Sequence, residues 1–577
     1  MSIAAGDRLH EPARAHEAGL SVAVRRQGGV FYTPADVAER LLAVAAPAGA
    51  LRPPRRPTIC DPTCGGGAFL LAAADRLEQL GQPVQAIVED LVWGADVDAA
   101  AVAVAGQGLR EWAAARGVVA EPRHLVVADT LLRGSRAWPD APPDGFDVVI
   151  GNPPFQSQLA TGTARTPRRS AAVRRRLGAV AAPYADSAAL FLVVACGLAA
   201  PEGRVAMILP ESVLSTRDSG PARAEVLASA SLVGLWWPGE PVFDAGVQVC
   251  APVLALGPTR VAGERPVRRW RGRGFVAAGT ATHPDRARGD GASWSPLLAS
   301  LRGTPTVSLT APAGPDPLGD LSSLASATAG FRDQYYGVAP HVREADPPDP
   351  TEGDRDDRTT AGHITDDQTK AARTGSAAIR LVTAGLIDPM HCRWGEVTTR
   401  FAGRRWQAPE VDLDALRAAD GRLAAWADAR LVPKVVVATQ TRLLEAAVDL
   451  DGCWWPSVPT IAVVPTSGDP ADLWRIAAVL SAPPVSAWAL ERFGGAALST
   501  DAVKLSASQV LSVPLPRDHG AWAEGASAAR AAQAAGEQGD ADGWAAALDR
   551  LGHAMTRAYG ADDDVRRWWA DRRPAWR

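Results

Sequence analysis

The stretch Thr58-Ile-Cys-Asp-Pro-Thr-Cys-Gly-Gly-Gly-Ala-Phe69 reads as a short strand, a glycine turn and the start of a helix. Glycines in such a turn let the backbone approach a ligand closely, and the helix start offers unbonded N–H groups. Gly65 and Gly67 do not form the dinucleotide fingerprint, because a third glycine is missing at the required spacing. The stretch therefore predicts a ligand-binding turn without naming the ligand.

Around this turn, short apolar runs alternate with Ala/Leu-rich stretches from residue 58 to about residue 258. This alternation is typical of a parallel sheet flanked by helices, so the predicted fold class is α/β. The predicted strands are Thr58–Cys60, Leu91–Ala95, His124–Ala128, Phe146–Ile150, Arg204–Leu209, Leu232–Trp236 and Val249–Leu256. Further strand-like segments, Val435–Thr439 and Thr460–Val464, follow after a less regular region.

Composition and charge narrow the class of protein. The 577 residues hold 60 Lys and Arg against 64 Asp and Glu, which argues against a uniformly basic nucleic-acid coat but leaves a local basic cleft open. Six cysteines without a Cys-x-x-Cys pair argue against a disulfide scaffold and a zinc ribbon, and no metal is expected. The longest apolar run, 188–200, is too short to cross a bilayer. We therefore expect a cytoplasmic protein of several domains that binds no membrane.

Three carboxylates follow successive strands of the predicted sheet. Asp61 follows the first, Asp96 ends the second and Asp129 follows the third. The carboxyl ends of parallel strands meet at one edge, where an acidic residue after the second strand can accept hydrogen bonds from ribose hydroxyls. The pattern predicts a nucleoside ligand at this edge.

The fourth predicted strand runs into Asn152-Pro153-Pro154-Phe155. The prolines fix the backbone and lack N–H groups, so carbonyl acceptors are left exposed. A carboxamide oxygen together with a rigid carbonyl can hold both hydrogens of a planar NH₂ group. An aromatic ring at position 155 can stack on the base that carries this amine.

With these residues the sequence resembles the N6-adenine DNA methyltransferases in the gamma order of motifs. Gly29-Val-Phe-Tyr-Thr-Pro34 resembles their motif before the first strand, and Asp61–Gly67 their S-adenosylmethionine loop. Asn152–Phe155 resembles their catalytic tetrapeptide, and Phe243–Cys250 resembles a late motif whose aromatic lines the base pocket. The resemblance is strong from about residue 28 to residue 258 and weaker beyond. It implies a Rossmann-like, S-adenosylmethionine-dependent methyltransferase domain followed by an α+β target-recognition region.

The resemblance also implies roles for single residues. Asn152 and Pro153 would accept from the target amine, Pro154 completes the rigid loop, and Phe155 and Phe243 would flank the flipped base. Asp96 would bind the cofactor ribose and Asp129 the cofactor adenine amine. The full set of residues implied to bind the cofactor is Phe31, Tyr32, Thr33, Asp61, Pro62, Cys64, Gly65, Gly67, Asp96 and Asp129.

The implied organisation has four parts: an N-terminal helical region (1–57), the catalytic domain (58–258), the target-recognition domain (259–517) and a helical tail (518–577). A polar tract near 343–376 is expected to be a mobile loop, because it is too polar to bury. Phosphate contacts are expected from arginines after the catalytic loop: Arg168, Arg169, Arg174, Arg175 and Arg176. The implied partner is double-stranded DNA, with a separate restriction nuclease or other anti-phage defence subunits as further candidates.

Three alternatives remain at this stage. A methyltransferase for RNA or for a protein glutamine faces the same NH₂ chemistry and uses a similar tetrapeptide. A DNA-binding specificity protein with an inactive methyltransferase domain is the second. A fused nuclease is the third, but the residues two before each lysine, Gln368, Val432 and Ala502, are not acidic as the common nuclease motif requires.

Overall fold

A computed structural model of the chain describes residues 32–46, 56–156, 165–243, 247–257, 264–284, 293–309, 319–330, 332–345, 379–495 and 502–576. The chain divides into two compact units, the first comprising 1–303 and 495–500 and the second 304–494 and 501–577. Each unit has hydrophobic cores of its own. Phe31 lies outside the described residues, as do 1–31 and 47–55 of the predicted N-terminal region and residues 346–376 of the predicted mobile loop.

A large mixed sheet organises the first unit. Its strands are β1 (Ile59–Asp61), β2 (Val92–Asp96), β3 (Leu125–Val127), β4 (Phe146–Gly151), β5 (Ala199–Met207), β6 (Leu209–Pro210), β7 (Ala230–Trp237), β8 (Val249–Leu256), β9 (Glu264–Arg271) and β10 (Val276–Pro284). They lie in the order β10-β9-β7-β8-β5-β4-β1-β2-β3, with β6 paired to β8. The run from β3 to β5 is parallel, whereas β8 is antiparallel to both β5 and β7. Strand order reverses between β1 and β4, which makes that position the switch point where ligands bind in such folds.

Helices cover both faces of this sheet. They are α1 (Ala35–Ala45), α2 (Ala68–Gln79), α3 (Val84–Ala86), α4 (Ala99–Ala114), α5 (Thr130–Arg133), α6 (Pro167–Leu177), α7 (Ser187–Leu198), α8 (Gly220–Ser229) and α9 (Pro296–Ala299). Successive residues of β4 serve opposite faces: Val148 and Ile150 pack into the core with α1, α2 and α4, and Val149 packs into the core with α7. Such burial on both faces explains why the parallel strands are almost wholly apolar.

The predicted α/β class is confirmed, and each of the seven strands predicted between 58 and 258 overlaps an observed strand. The extent of the sheet differs from the prediction, because 259–284 supplies β9 and β10 rather than starting the target-recognition region. Val267 is fully buried on β9, and Trp270 packs so closely over Gly234 that a Cβ there would lie 2.6 Å from the ring. Because β9 contains several arginines, its sequence lacks the apolar pattern that predicts a buried strand.

The second unit combines small sheets with a helical cluster. Its strands are β11 (Ala325–Ala329), β12 (Val342–Glu344), β13 (Ile379–Val382), β14 (Ile387–Asp388), β15 (His391–Cys392), β16 (Thr399–Phe401), β17 (Arg404–Trp406), β18 (Pro409–Val411), β19 (Lys434–Ala438), β20 (Glu445–Asp449), β21 (Trp454–Pro456) and β22 (Ile461–Pro465). Two four-stranded sheets have the orders β11-β22-β19-β20 and β12-β18-β13-β21, and β14-β15 and β16-β17 form hairpins. The predicted strands at 435–439 and 460–464 correspond to β19 and β22.

Helices make up the remainder of this unit. They are α10 (Arg332–Val338), α11 (Leu413–Ala419), α12 (Gly421–Asp428), α13 (Pro470–Leu480), α14 (Pro483–Phe493), α15 (Ala507–Leu511), α16 (His519–Glu537), α17 (Ala541–Tyr559) and α18 (Asp563–Ala570). The predicted tail is helical but not separate, because Trp522, Trp544 and Trp569 share one core with α13 and α14. Within the described part of the chain, no single helix is long and apolar enough to cross a membrane; the bent pair α13 and α14 reaches that length only together.

Candidate active site

The candidate site lies at the carboxyl ends of β1 and β4, the two strands that flank the switch point. Asp61 is the last residue of β1, and Gly151 is the last residue of β4, immediately before Asn152. The two ends are in close contact, because a Cβ added to Gly151 would lie 2.6 Å from Asp61 Oδ1. Only glycine at position 151 allows this approach, which brings the predicted cofactor loop against the predicted catalytic loop.

The glycine turn after β1 is held by hydrogen bonds to the neighbouring strand. Asp61 Oδ1 accepts from the backbone N–H of Thr63 at 2.9 Å, and Cys64 N donates to Ala95 O at 2.9 Å. Gly67 has a φ of 90° and packs against Ala105, whose Cβ would be 2.9 Å from an added Cβ. Gly65, by contrast, faces open space within the described residues, so a ligand has room to reach its backbone.

Burial changes the acid–base behaviour of this turn. Asp61 is almost completely buried, and burial raises the pKa of its carboxyl to about 8, despite the stabilising N–H of Thr63. Burial also raises the pKa of the Cys60 and Cys64 thiols well above their usual value, so both are neutral packing groups. Among the described residues, no group of His, Cys, Asp and Glu is arranged to hold a metal ion.

The carboxylate at the end of β2 acts on the same turn. Asp96 Oδ2 accepts from Gly65 N, and its Oδ1 accepts from Asp98 N, each at 3.0 Å. Burial raises the pKa of Asp96, while these two N–H groups oppose that rise. Asp98 has a separate structural role, because its side chain caps α4 through Ala100 N at 2.8 Å.

Asp129, after β3, forms an ion pair that the sequence did not predict. Its Oδ2 lies 2.9 Å from Arg169 Nη2 of α6. Its Oδ1 is buried and accepts no hydrogen bond from the residues that the structure describes. The next residue, Thr130, ties this segment to the glycine turn, since its hydroxyl donates to Pro62 O at 2.7 Å.

The catalytic loop meets residues from two distant parts of the chain. Asn152 Nδ2 donates to the hydroxyl of Thr33 at 3.2 Å, which assigns the nitrogen end of the carboxamide to Thr33. Phe155 contacts Phe243 edge-on, with ring centroids 6.2 Å apart and planes at 64°. Pro153 is buried, whereas Pro154 is half-buried. Thr33, which the resemblance assigns to the cofactor, thus lies against the carboxamide of Asn152, with Tyr32 beside it in the chain.

The five arginines assigned to DNA separate into two sets on α6. Arg168, Arg174 and Arg175 are exposed. Arg169 pairs with Asp129, and Arg176 Nη1 donates to the backbone oxygens of Thr130 and Leu131 at 2.6 and 2.8 Å. Arg169 and Arg176 therefore make contacts within the protein, although Arg176 is itself exposed. Seven residues, or about two helical turns, separate 169 from 176, so they lie on one face of the helix.

Two residues of the site escaped the sequence interpretation. Gly151 is recognisable in retrospect as the small residue between a buried strand and the Asn-Pro-Pro loop. Thr130 follows Asp129 directly, but its hydrogen bond to Pro62 joins residues 68 positions apart, and no local sequence pattern predicts such a contact.

Known proteins resemble this chain in both sequence and fold. Residues 20–235 match the N-6 DNA methylase family. The type II methyltransferase M.MamI of Microbacterium ammoniaphilum is 31% identical over 168 residues, which cover 26% of this chain and 42% of that protein. The chain thus matches less than half the length of this curated relative.

Among solved structures, the type IIL restriction-modification enzyme MmeI in complex with DNA superimposes with a TM-score of 0.56 at 14% identity, over 97% of this chain and 80% of that one. The type IIG restriction endonuclease BpuSI gives a TM-score of 0.43 at 12% identity, over 96% and 68%. The first of these likenesses concerns the fold. The sequence match includes the glycine turn, the carboxylates after β1 to β3 and the Asn152 loop. The similarity of this chain to the N-6 DNA methylase family thus covers residues 20–235, which include all of these groups.

Proposed function

We propose that the chain is a site-specific, adenine-specific DNA methyltransferase, which transfers a methyl group from S-adenosylmethionine to adenine N6 in double-stranded DNA. The observation that carries the proposal is the contact between Gly151 and Asp61 at the switch point. Because Gly151 precedes Asn152 and Asp61 begins the glycine turn, this contact supports a reaction between a target held by Asn152 and a cofactor held by the turn. A family match over residues 20–235 supports the same reaction.

S-Adenosylmethionine fits the residues on the cofactor side. The turn from Asp61 to Gly67, with Pro62, Cys64 and Gly65, would hold the methionine part beside Tyr32 and Thr33, and Phe31 belongs to the same proposed set. Asp96 would accept from the ribose hydroxyls. Asp129 Oδ1, buried and unbonded among the described residues, would accept from the adenine amine. The cofactor supplies an electrophilic methyl group on a sulfonium centre.

On the target side, Asn152 and Pro153 would act on the adenine amine. That nitrogen is a poor nucleophile, because its lone pair is delocalised into the ring. The Asn152 oxygen and the Pro153 carbonyl would each accept one amine hydrogen and favour a pyramidal nitrogen that carries developing positive charge. Such an interaction is strongest in the transition state and is made by groups oriented in advance. Thr33 provides that orientation for Asn152.

The base must leave the duplex to reach this loop, at a cost of a few kcal/mol. Stacking on Phe155 would offset about 1–3 kcal/mol of that cost. Phe243, edge-on to Phe155, would bound the same pocket. The exposed arginines Arg168, Arg174 and Arg175 would supply phosphate contacts, which carry no sequence preference of their own.

Restriction-modification or anti-phage defence is the proposed setting. The curated relative M.MamI is a type II methyltransferase, and MmeI is a restriction-modification enzyme whose structure is a DNA complex. A separate restriction nuclease or other defence subunits are the proposed protein partners.

Methyl transfer from labelled S-adenosylmethionine to unmethylated duplex DNA, to RNA and to protein extract tests the substrate class. We expect label in DNA, and about a hundredfold slower labelling with Asn152→Ala. Label only in RNA or protein would support methyl transfer to an NH₂ group but would contradict the proposal that DNA is the substrate. Cofactor binding with no label in any substrate would overturn the proposed activity of the isolated chain and favour a binding role.

A further inference from the structure

Arg169 is the residue whose position departs most from a DNA-contact role. Its Nη2 lies 2.9 Å from Asp129 Oδ2, with 36% of the arginine side chain and 21% of the aspartate side chain exposed. A guanidinium and a carboxylate at this distance form an ion pair, and arginine is as well suited to pair with a carboxylate inside a protein as with a phosphate.

The whole inner face of α6 supports this contact. Thr166 caps the helix through Arg169 N, and Val173, near the middle, is buried. Two turns after Arg169, Arg176 bonds the backbone oxygens of Thr130 and Leu131, and a Cβ on Gly134 would overlap its guanidinium. The helix is therefore anchored at both ends on the segment that follows β3, so the pair of Arg169 and Asp129 is part of a built interface.

The two carboxylate oxygens of Asp129 have different contacts. Oδ2 is bound by Arg169, and Oδ1 is buried with no hydrogen bond from the described residues. The side chain does not cap α5 either. The ion pair with Arg169 restrains the side chain of Asp129, and its second oxygen is a buried acceptor that remains to be satisfied.

We propose that Arg169 is a positioning residue for the cofactor: it pairs with Asp129 Oδ2 and orients this side chain so that Oδ1 accepts from the amino group of the cofactor's adenine. The inference rests on the proposed function, and it reassigns Arg169 from DNA binding to nucleoside selection. A purine with a 6-amino group is the ligand that this acceptor selects, because an oxygen at the same position would meet the carboxylate with a lone pair.

Calorimetric titration without DNA tests the assignment with two ligands, S-adenosylmethionine and an analogue in which hydrogen replaces the 6-amino group. The wild type should bind the natural cofactor more tightly than the analogue by about tenfold. Arg169→Ala should lose this preference by weakening the natural cofactor alone, and Asp129→Ala should behave in the same way. Arg168→Ala, which removes the same charge from the exposed neighbouring position, should keep the preference.

The ratio of the affinities for the two ligands distinguishes a loss of Asp129 orientation from a general loss of folding or binding. If Arg169→Ala weakens both ligands equally, or leaves both unchanged, Arg169 does not orient Asp129 and the inference is overturned. Arg169→Lys, which keeps the charge but changes the geometry, should retain folding and lose part of the preference. A wild-type protein that binds neither ligand would overturn the proposed function itself, and the inference with it.

Discussion

The two sides of the switch point are built differently. On the proposed cofactor side, Asp61 is buried and Asp96 is half-buried, and each accepts a backbone N–H group of the glycine turn. On the target side, Asn152 and Phe155 are half-buried and meet Thr33 and Phe243, which come from segments before β1 and after β7. The cofactor side is thus organised by the strand–turn–helix unit itself, whereas the target side depends on tertiary contacts. Substitutions on the two sides should therefore have separable effects.

The largest expected effect is on the target side. Asn152→Ala should lower the rate of methyl transfer by about a hundredfold, the usual loss when an oriented hydrogen-bonding group of the transition state is removed. Cofactor affinity should change much less, because the proposed role of the Asn152 oxygen is to accept from the target amine, and its amide nitrogen bonds Thr33. Single-turnover kinetics and calorimetry on the same preparation measure both quantities. A parallel loss of cofactor affinity would show that the two sides are not separable.

Gly151→Ala should impair both cofactor binding and methyl transfer. A new Cβ would approach Asp61 Oδ1 at 2.6 Å, so the carboxylate must move away from Thr63. Overpacking of this kind costs about 2 kcal/mol, which corresponds to about a thirtyfold loss of cofactor affinity. Gly197→Ala is the matched control, because Gly197 is exposed on α7 and an added Cβ meets nothing within 4 Å among the described residues. Equal binding by both variants would contradict the proposed contact.

The pH dependence of cofactor binding should report on the cofactor side. Burial raises the pKa of Asp61 to about 8, so the carboxyl is mostly neutral at pH 7. A ligand with a sulfonium and an ammonium group favours the ionised form, and binding then releases a proton. Affinity should rise by about tenfold from pH 7 to pH 9, since each pKa unit is worth about 1.4 kcal/mol. In Asp61→Asn, the pH dependence of cofactor affinity should reflect only the titration of the cofactor itself. If Asp61→Asn has the same pH dependence as the wild type, Asp61 does not control cofactor binding.

The smallest expected effect concerns the orientation of Asn152. Thr33→Val keeps the shape of the side chain and removes the hydroxyl that accepts from Asn152 Nδ2. A net hydrogen bond of about 1 kcal/mol corresponds to about a fivefold lower transfer rate. If the lost property were cofactor affinity instead, Thr33 would belong to the cofactor side alone, as the sequence motif suggests.

Local patterns were sufficient to predict the parallel half of the fold. Buried strands such as β2 and β4 are mostly apolar; β2 ends in Asp96, and β4 is followed directly by Asn152. Long-range pairing was not visible in the same way. The strand β9 contains several arginines, so its sequence predicts a polar segment at the start of the target-recognition region. In the structure β9 instead pairs in parallel with β7 of the large sheet.

The candidate site was predictable to a similar degree. The residue types after β1, β2 and β4 carry their chemistry in the local sequence, because glycine, carboxylate and carboxamide each suit a particular ligand group. The partners of these residues lie far away in the chain: Thr33 is 119 positions before Asn152, and Arg169 was assigned by its charge to DNA. An arginine on a helix is equally suited to phosphate and to carboxylate, and only the packing of α6 distinguishes the two.

Nucleoside analysis of methylated DNA tests the central claim most directly. Duplex DNA would be incubated with the chain and S-adenosylmethionine that carries a deuterated methyl group, then digested and examined by mass spectrometry. We predict that the label appears as N6-methyldeoxyadenosine and that Asn152→Ala lowers its rate of appearance by about a hundredfold. Label in deoxycytidine, whose exocyclic amine poses the same chemical problem, would contradict the assignment of adenine as the target base.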